Sequence, residues 1–211
     1  MTPAAYTTVQ GSTEAEHEVK RSRFLCHLER VDDEAAARAV VETARSVHWD
    51  ARHHVSAFVL GADGAVQRSS DDGEPSGTAG TPVLDVLRGR EVSDVVAVVT
   101  RWFGGTLLGA GGLVRAYAEA ARLALDEATL VRRELVLLGT VVVDHADAGR
   151  IENDLRTRGL AVQGTDYAER ATVRVGVAPA QVDEAHAWVA AATAGRSSLE
   201  LAGESWVDRP I

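Results

Sequence analysis

The chain has 211 residues, 45% of them hydrophobic and 25% charged, with a net charge of −9. This is ordinary globular composition, long enough for one large domain or two small ones. It excludes wholesale coating of nucleic acid, a membrane helix of roughly 18 apolar residues and, with Cys26 the single cysteine, an intrachain disulfide.

Residues 1–19 lack the basic start and apolar stretch of a secretory signal and read as a short flexible leader. Together with the lone cysteine, this favours the cytoplasm. Val19 to Val31 reads as a strand, in which Cys26 alternates with Phe24 and Leu28 as a small core residue rather than a nucleophile. Asp32-Asp33-Glu34 opens a helix through Ser46, with acids suited to the positive end of its dipole. His53 to Leu60 is a second strand, Gly61 to Gly64 a turn, and Ala65 to Ser69 a third strand.

Asp71 to Pro82 has no periodicity and is dense in turn formers, so it is a loop. Thr81 and Pro82 form an N-cap and first-turn pair, which predicts a helix to Gly89. Val95 to Thr100 is a continuous apolar run, as in a strand covered on both faces. The loop Gly104 to Gly112 and a helix from Leu113 to Glu127 follow.

Beyond Arg132-Arg133-Glu134 the elements predicted are a strand (Leu135–Val143), a helix (Ala146–Arg158), two strands (Leu160–Tyr167, Ala171–Val177), a helix (Gln181–Ala194) and a strand from Ser198 to Val207. That βαββαβ order is ferredoxin-like. The predicted fold class is therefore α+β, with domains at 20–134 and 135–211. Acids outnumber cations in both.

The strand, glycine loop and helix from Val95 to Glu127 carry the strongest chemical signal. Five glycines in nine residues, Gly104, Gly105, Gly109, Gly111 and Gly112, let the backbone approach a ligand closely. The unpaired amides of the following helix favour an anion. Arg115, read as part of the first turn, would be stabilised by a bound anion. Arg101 at the end of the feeding strand is able to point to the same place, and Thr78 completes the candidate set. The plain structural reading is a tight crossover with Arg115 paired to Glu119. No Gly-Lys-Ser/Thr follows the loop, so it is not a P-loop, and the dinucleotide fingerprint is also missing.

Asp71, Asp72 and Glu74 place three carboxylates within four residues. Such a group holds a hard cation such as magnesium or supplies acid/base chemistry. Turn capping, or a pair with Arg101, suits the loop better. No firm metal ligand set is predicted, and magnesium is the one cofactor considered. Glu74 stands where a nucleophile elbow needs its first glycine, so Ser76 and Thr78 are weak nucleophiles. His53 and His54 are neighbours on a strand and diverge; His53 alone is an accessory candidate. Trp102 and Phe103 are able to stack on a base, although packing as a ledge suits them better.

Lys20-Arg21-Ser22-Arg23-Phe24, Asp50-Ala51-Arg52-His53, DDGEPSGTAGTPVLDVL and VVTRWFGGTLLGAGGLVRAYAEAA resemble the signature blocks of the IMPACT/YigZ family. They span residues 20–125, and Thr81 and Trp102 depart from the family's usual arginine and tyrosine. The resemblance implies an N-terminal domain of the left-handed βαβ type, as in elongation factor G domain IV, then a ferredoxin-like domain similar to domain V of that factor. Eukaryotic members are translation regulators that bind a ribosome-associated activator of a starvation kinase. They carry an extra N-terminal domain with no counterpart in this sequence, so that partner is not carried over.

The leading expectation is a non-enzymatic binding protein that touches RNA or the ribosome through the glycine loop. The alternative is an enzyme or sensor for a small phosphate-containing ligand, using the same loop with Asp71, Asp72 and Glu74. A structural interaction module without a ligand is the third reading. No membrane partner is expected, and composition is silent on oligomeric state.

Overall fold

A computed structural model describes residues 3–211. The fold is mixed α+β, with ten strands and five α-helices among the described residues. It divides into two compact units, residues up to 132 with 210–211, and residues 133–209.

The first unit contains β1 (Ala5–Val9), β2 (Ser12–Val19), β3 (Ser22–Arg30), α1 (Glu34–Val47), β4 (His53–Leu60), β5 (Val66–Ser70), α2 (Gly80–Gly89), β6 (Val95–Trp102) and α3 (Ala110–Glu127). Its sheet runs β2-β3-β6-β4-β5, and every neighbouring pair is antiparallel. β6 is central. Val95, Ala97 and Val99 pack with residues of α2 and α3, while Val96 and Val98 pack with residues of α1. A strand covered on both faces has no polar side to alternate with, which is why its sequence is a continuous apolar run. Phe24, Leu28 and Tyr117 are fully buried on the α2–α3 side, each contributing about 1.5–3 kcal/mol of burial free energy.

Two strands stand where the sequence reading expects a flexible leader. β2 displays Glu14, Glu16 and Glu18 on its exposed positions and buries only Ala15. It lies at the sheet edge, where charged side chains discourage further pairing. Those same charges remove the apolar alternation by which a strand is recognised. α1 begins as expected, with the Asp33 carboxylate accepting from the Ala36 amide at 2.7 Å.

β7 (Leu130–Val143) leads into the second unit, followed by α4 (His145–Thr157), β8 (Ala161–Tyr167), β9 (Ala171–Val177), α5 (Val182–Ala192) and β10 (Leu199–Pro210). β9 pairs antiparallel with β7 and with β8, and β10 pairs with β7. Val141, Val173 and Val175 form one core with Ile151 and Leu155 of α4, Val189 of α5 and Leu199. Among the described residues no helix is long and apolar enough to cross a membrane.

Candidate functional site

The β2–β3 connection is a two-residue turn, since Val19 pairs with Ser22. Both turn residues, Lys20 (φ 47°) and Arg21 (φ 63°), are left-handed. Such tight hairpin turns favour Asn-Gly, and a non-glycine residue in this region costs about 1–2 kcal/mol. The glycine loop rests on this turn. A Cβ on Gly104 would lie 2.0 Å from the Arg21 carbonyl carbon, and the Gly104 amide donates to the buried Ser22 hydroxyl at 3.1 Å.

Gly109, at φ 72°, caps α3, which starts at Ala110. Gly111 and Gly112 are therefore helical, and the helix begins three residues earlier than periodicity suggests. Glycines give no apolar pattern, so the first turn was invisible in the sequence. Arg115 consequently lies in the second turn, and its Nη1 folds back to 3.8 Å from where a Gly111 Cβ would be. Glu119 pairs with Arg122 rather than Arg115. A cavity of about 480 Å³ opens here, lined by His17, Lys20, Leu108, Gly112 and Arg115 among others.

The charge pattern around this cavity is uneven. Most arginines of the chain bond to a carboxylate or a carbonyl oxygen. Among the described residues, four cations make no side-chain hydrogen bond, ion pair or ring contact: Lys20, Arg21, Arg52 and Arg115. All four lie at one end of the sheet. Arg21 reaches over the loop, its Nη2 4.0 Å from a Cβ built on Gly105. Arg52 precedes β4, and its amide donates to the Arg101 carbonyl at 3.3 Å.

The acidic loop is organised differently. The Asp71 carboxylate accepts from the amides of Gly77 (2.8 Å), Ala79 (3.1 Å) and Gly80 (2.8 Å). It therefore caps α2 from nine residues away, and Thr81 lies inside the helix rather than at its cap. Asp72 accepts from the His54 amide at 2.6 Å and from Arg45 at 2.7 Å. His53 Nδ1 donates to the Asp72 carbonyl at 2.8 Å. Thr78 donates its hydroxyl to the Pro75 carbonyl at 2.6 Å. The described residues hold no group of three or more His, Cys, Asp or Glu side chains arranged for a metal ion.

Burial alone would push the Asp71 carboxyl up, but the amides of Gly77, Gly80 and Ala79 together hold it below its ordinary value. A depressed carboxyl stabilises the fold above its unfolded pKa, and that stability is lost as pH falls through the folded value. Asp71→Ala is expected to cost about 0.5–2 kcal/mol at neutral pH. The gap to the parent chain should shrink below pH 3.8, the ordinary value for the group. Urea midpoints at neutral and acid pH check this.

Glu74 and Arg101 form a pair at 2.5 Å with side chains only 4% and 8% exposed. The Tyr117 hydroxyl donates to the same carboxylate oxygen at 2.7 Å. The Arg101 guanidinium lies 5.4 Å from the Phe24 ring and 5.8 Å from that of Phe103. Arg101 is thus directed into the unit, not out toward the loop surface where Lys20, Arg21 and Arg115 are exposed.

Trp102 is clamped at the end of β6. Arg23 covers its ring at 4.2 Å, His48 meets it edge-on at 5.3 Å, and its Nε1 donates to Asp50 at 3.0 Å. Cys26 is fully buried, and burial, with a smaller push from Glu14, raises its thiol to about 12. The structure thus brings Gly104, Gly105, Gly109, Gly111, Gly112 and Arg115 into one loop and helix start, while Asp71, Asp72, Glu74, Thr78, Arg101 and His53 each bond within the protein. Sequence reasoning did not single out Lys20, Arg21 and Arg52 for the site. Two basic residues in a hairpin turn that prefers glycine were the available signal.

The fold and this end of the first sheet define a two-unit α+β protein, acidic in composition, with cations beside the glycine loop of its first unit. The family model described as the Impact N-terminal domain matches residues 20–125, and one for a domain of unknown function (DUF1949) matches residues 141–196. The chain is 36% identical to IMPACT family member YvyE of Bacillus subtilis, over 98% of this chain and 95% of that one. It is 40% identical to IMPACT family member YigZ of Escherichia coli, over 94% and 95% respectively. A crystal structure described as a hypothetical protein is similar, with a TM-score of 0.64 and 36% identity, covering 95% of this chain and 98% of that one. The chain belongs to the IMPACT family.

Proposed function

We propose that this chain is a non-enzymatic binding protein of the translation apparatus, in the cytoplasm, which contacts RNA through the cationic rim of its glycine loop. The observation that carries the reading is that Lys20, Arg21, Arg52 and Arg115, without side-chain partners among the described residues, lie at one end of the first unit's sheet in a chain whose net charge is −9. An acidic chain that neutralises most of its arginines and leaves four together keeps them for an external anion. The left-handed turn adds support, because two cations occupy positions where glycine and asparagine are less strained. Family membership supports the link to translation, as does similarity over 93 residues to the Saccharomyces cerevisiae protein named Protein IMPACT homolog. The βαββαβ order of the second unit supports a ferredoxin-like reading, and the same proposal reads the first unit as the left-handed βαβ type.

A rim of three or four cations gives binding that weakens with salt, with a logarithmic slope near −0.7 per neutralised phosphate on single strands. Arg115→Glu is expected to lower RNA affinity more than tenfold at low salt and to flatten that slope. Its melting temperature should stay within about 2 °C of the parent, because Arg115 holds nothing inside the protein. Fluorescence anisotropy over a salt series checks this. RNA affinity unchanged in Arg115→Glu would sink the proposal. A salt-insensitive thermal shift with one sugar phosphate or nucleotide, lost in Arg115→Ala, would point instead to a small-ligand sensor.

A further inference from the structure

Trp49 is 81% exposed in the turn between α1 and β4. Both of its chain neighbours are fixed on Trp102. The His48 ring packs edge-on against that indole at 5.3 Å, and the Asp50 carboxylate accepts from its Nε1 at 3.0 Å. Trp102 is in turn covered by the Arg23 guanidinium at 4.2 Å, and Arg23 is tied to Glu16 at 2.9 Å. Trp49 is therefore held at the edge of a braced aromatic ledge, while its own indole makes no ring contact or hydrogen bond among the described residues. The unpartnered Arg52 lies three residues on. Phe103 (47% exposed) and Leu107 (84% exposed) are further exposed apolar side chains, at the start of and within the glycine loop.

An indole has a flat apolar face and a polar N–H, which is why tryptophan is enriched where one surface meets another. Arg52, three residues on, suits a phosphate, and the indole suits a flat apolar face. Backbone phosphates on cations with bases on aromatic rings is the pattern of single-strand recognition. A duplex does not offer that face, because each base is already stacked on its neighbours. We propose that Trp49 is a stacking platform for an unpaired base, so that the preferred ligand is single-stranded rather than duplex RNA. This rests on the rim of Lys20, Arg21, Arg52 and Arg115 binding RNA and specifies which form of it.

The test uses the full chain, a labelled short oligouridylate, the same strand in a duplex, and a strand of equal charge that lacks bases. Anisotropy gives affinities at low salt, and quenching of tryptophan emission reports stacking. Wild type is expected to prefer the oligouridylate to both competitors. Trp49→Ala should lose about 5- to 100-fold on the oligouridylate alone, with the duplex and base-free strands unaffected. Trp49→Phe should recover most of that loss, since a smaller ring still stacks. Because the side chain is exposed, both variants should melt with the parent. Equal affinity of Trp49→Ala and wild type for the oligouridylate, with Arg115→Glu still impaired, overturns the ledge and leaves the cationic rim standing. That outcome would turn Trp49 toward a protein contact. No binding of any strand by wild type at low salt overturns both readings.

Discussion

Gly104→Ala is expected to destabilise the first unit by at least about 3 kcal/mol, or roughly 6–12 °C in Tm for a chain of this size. The added Cβ would lie 2.0 and 2.1 Å from the Arg21 carbonyl carbon and oxygen and 2.3 Å from the Ser22 nitrogen. All three are backbone atoms, so no side-chain rotation relieves the overlap. The loop must lift from the turn, breaking the Gly104 amide bond to Ser22 and unsealing the buried Ser22 hydroxyl. Gly109→Ala is the informative comparison. It has nothing within 4 Å, and its φ of 72° with ψ of 164° is a backbone region essentially confined to glycine, so it should cost about 1–3 kcal/mol. Differential scanning calorimetry separates the two. A Gly104→Ala chain that melts within 2 °C of the parent would mean that the loop does not rest on the turn.

Cutting the buried Glu74–Arg101 pair from one side is expected to cost about 3–5 kcal/mol, since it strands a charge in the interior. Glu74→Leu should show this fully, because the Arg101 side chain is only 8% exposed and its Nε already has no partner. Arg101→Met should cost a similar amount, leaving the Glu74 carboxylate with only the Tyr117 hydroxyl. The double variant Glu74→Leu/Arg101→Met should be more stable than either single, as it removes both charges together. Tyr117→Phe should cost about 1–3 kcal/mol, the range for leaving one buried acceptor short of a donor. Denaturant midpoints of the four proteins complete a cycle. A strictly additive double variant would show that the pair is not coupled. Burial, then the bond to Glu74, raises the Tyr117 hydroxyl well above its ordinary value of 10.0. It stays a neutral donor, and the fold should lose stability as pH climbs above that value, where only the unfolded chain ionises this group.

Most of the framework was legible because it is written in local pattern. The run Val95 to Thr100 announced a strand covered on both faces, and α1 packs against the face of Val96 and Val98 while α2 and α3 pack against the other. Asp33 before an alanine-rich stretch announced that helix, and the density of glycine after Phe103 announced a close backbone approach. What failed was also local in cause. The glutamates of β2 hid its alternation, and Gly111 and Gly112 hid the first turn of α3.

The sequence by itself determined the α+β class, the order of the main elements from β3 onward, and the family. Only the tertiary structure decided which charges are used up and which remain. Arg101 is consumed by Glu74, 27 residues away, and Asp71 by amides up to nine residues on. Among the described residues, Lys20, Arg21, Arg52 and Arg115 find no such partner, and Trp49 stays 81% exposed. Periodicity and capping are set by near neighbours along the chain, so they can be read from it. Whether a charge is neutralised, or a ring buried, depends on distances that exist only after β3, β4, β6 and α3 have been brought together.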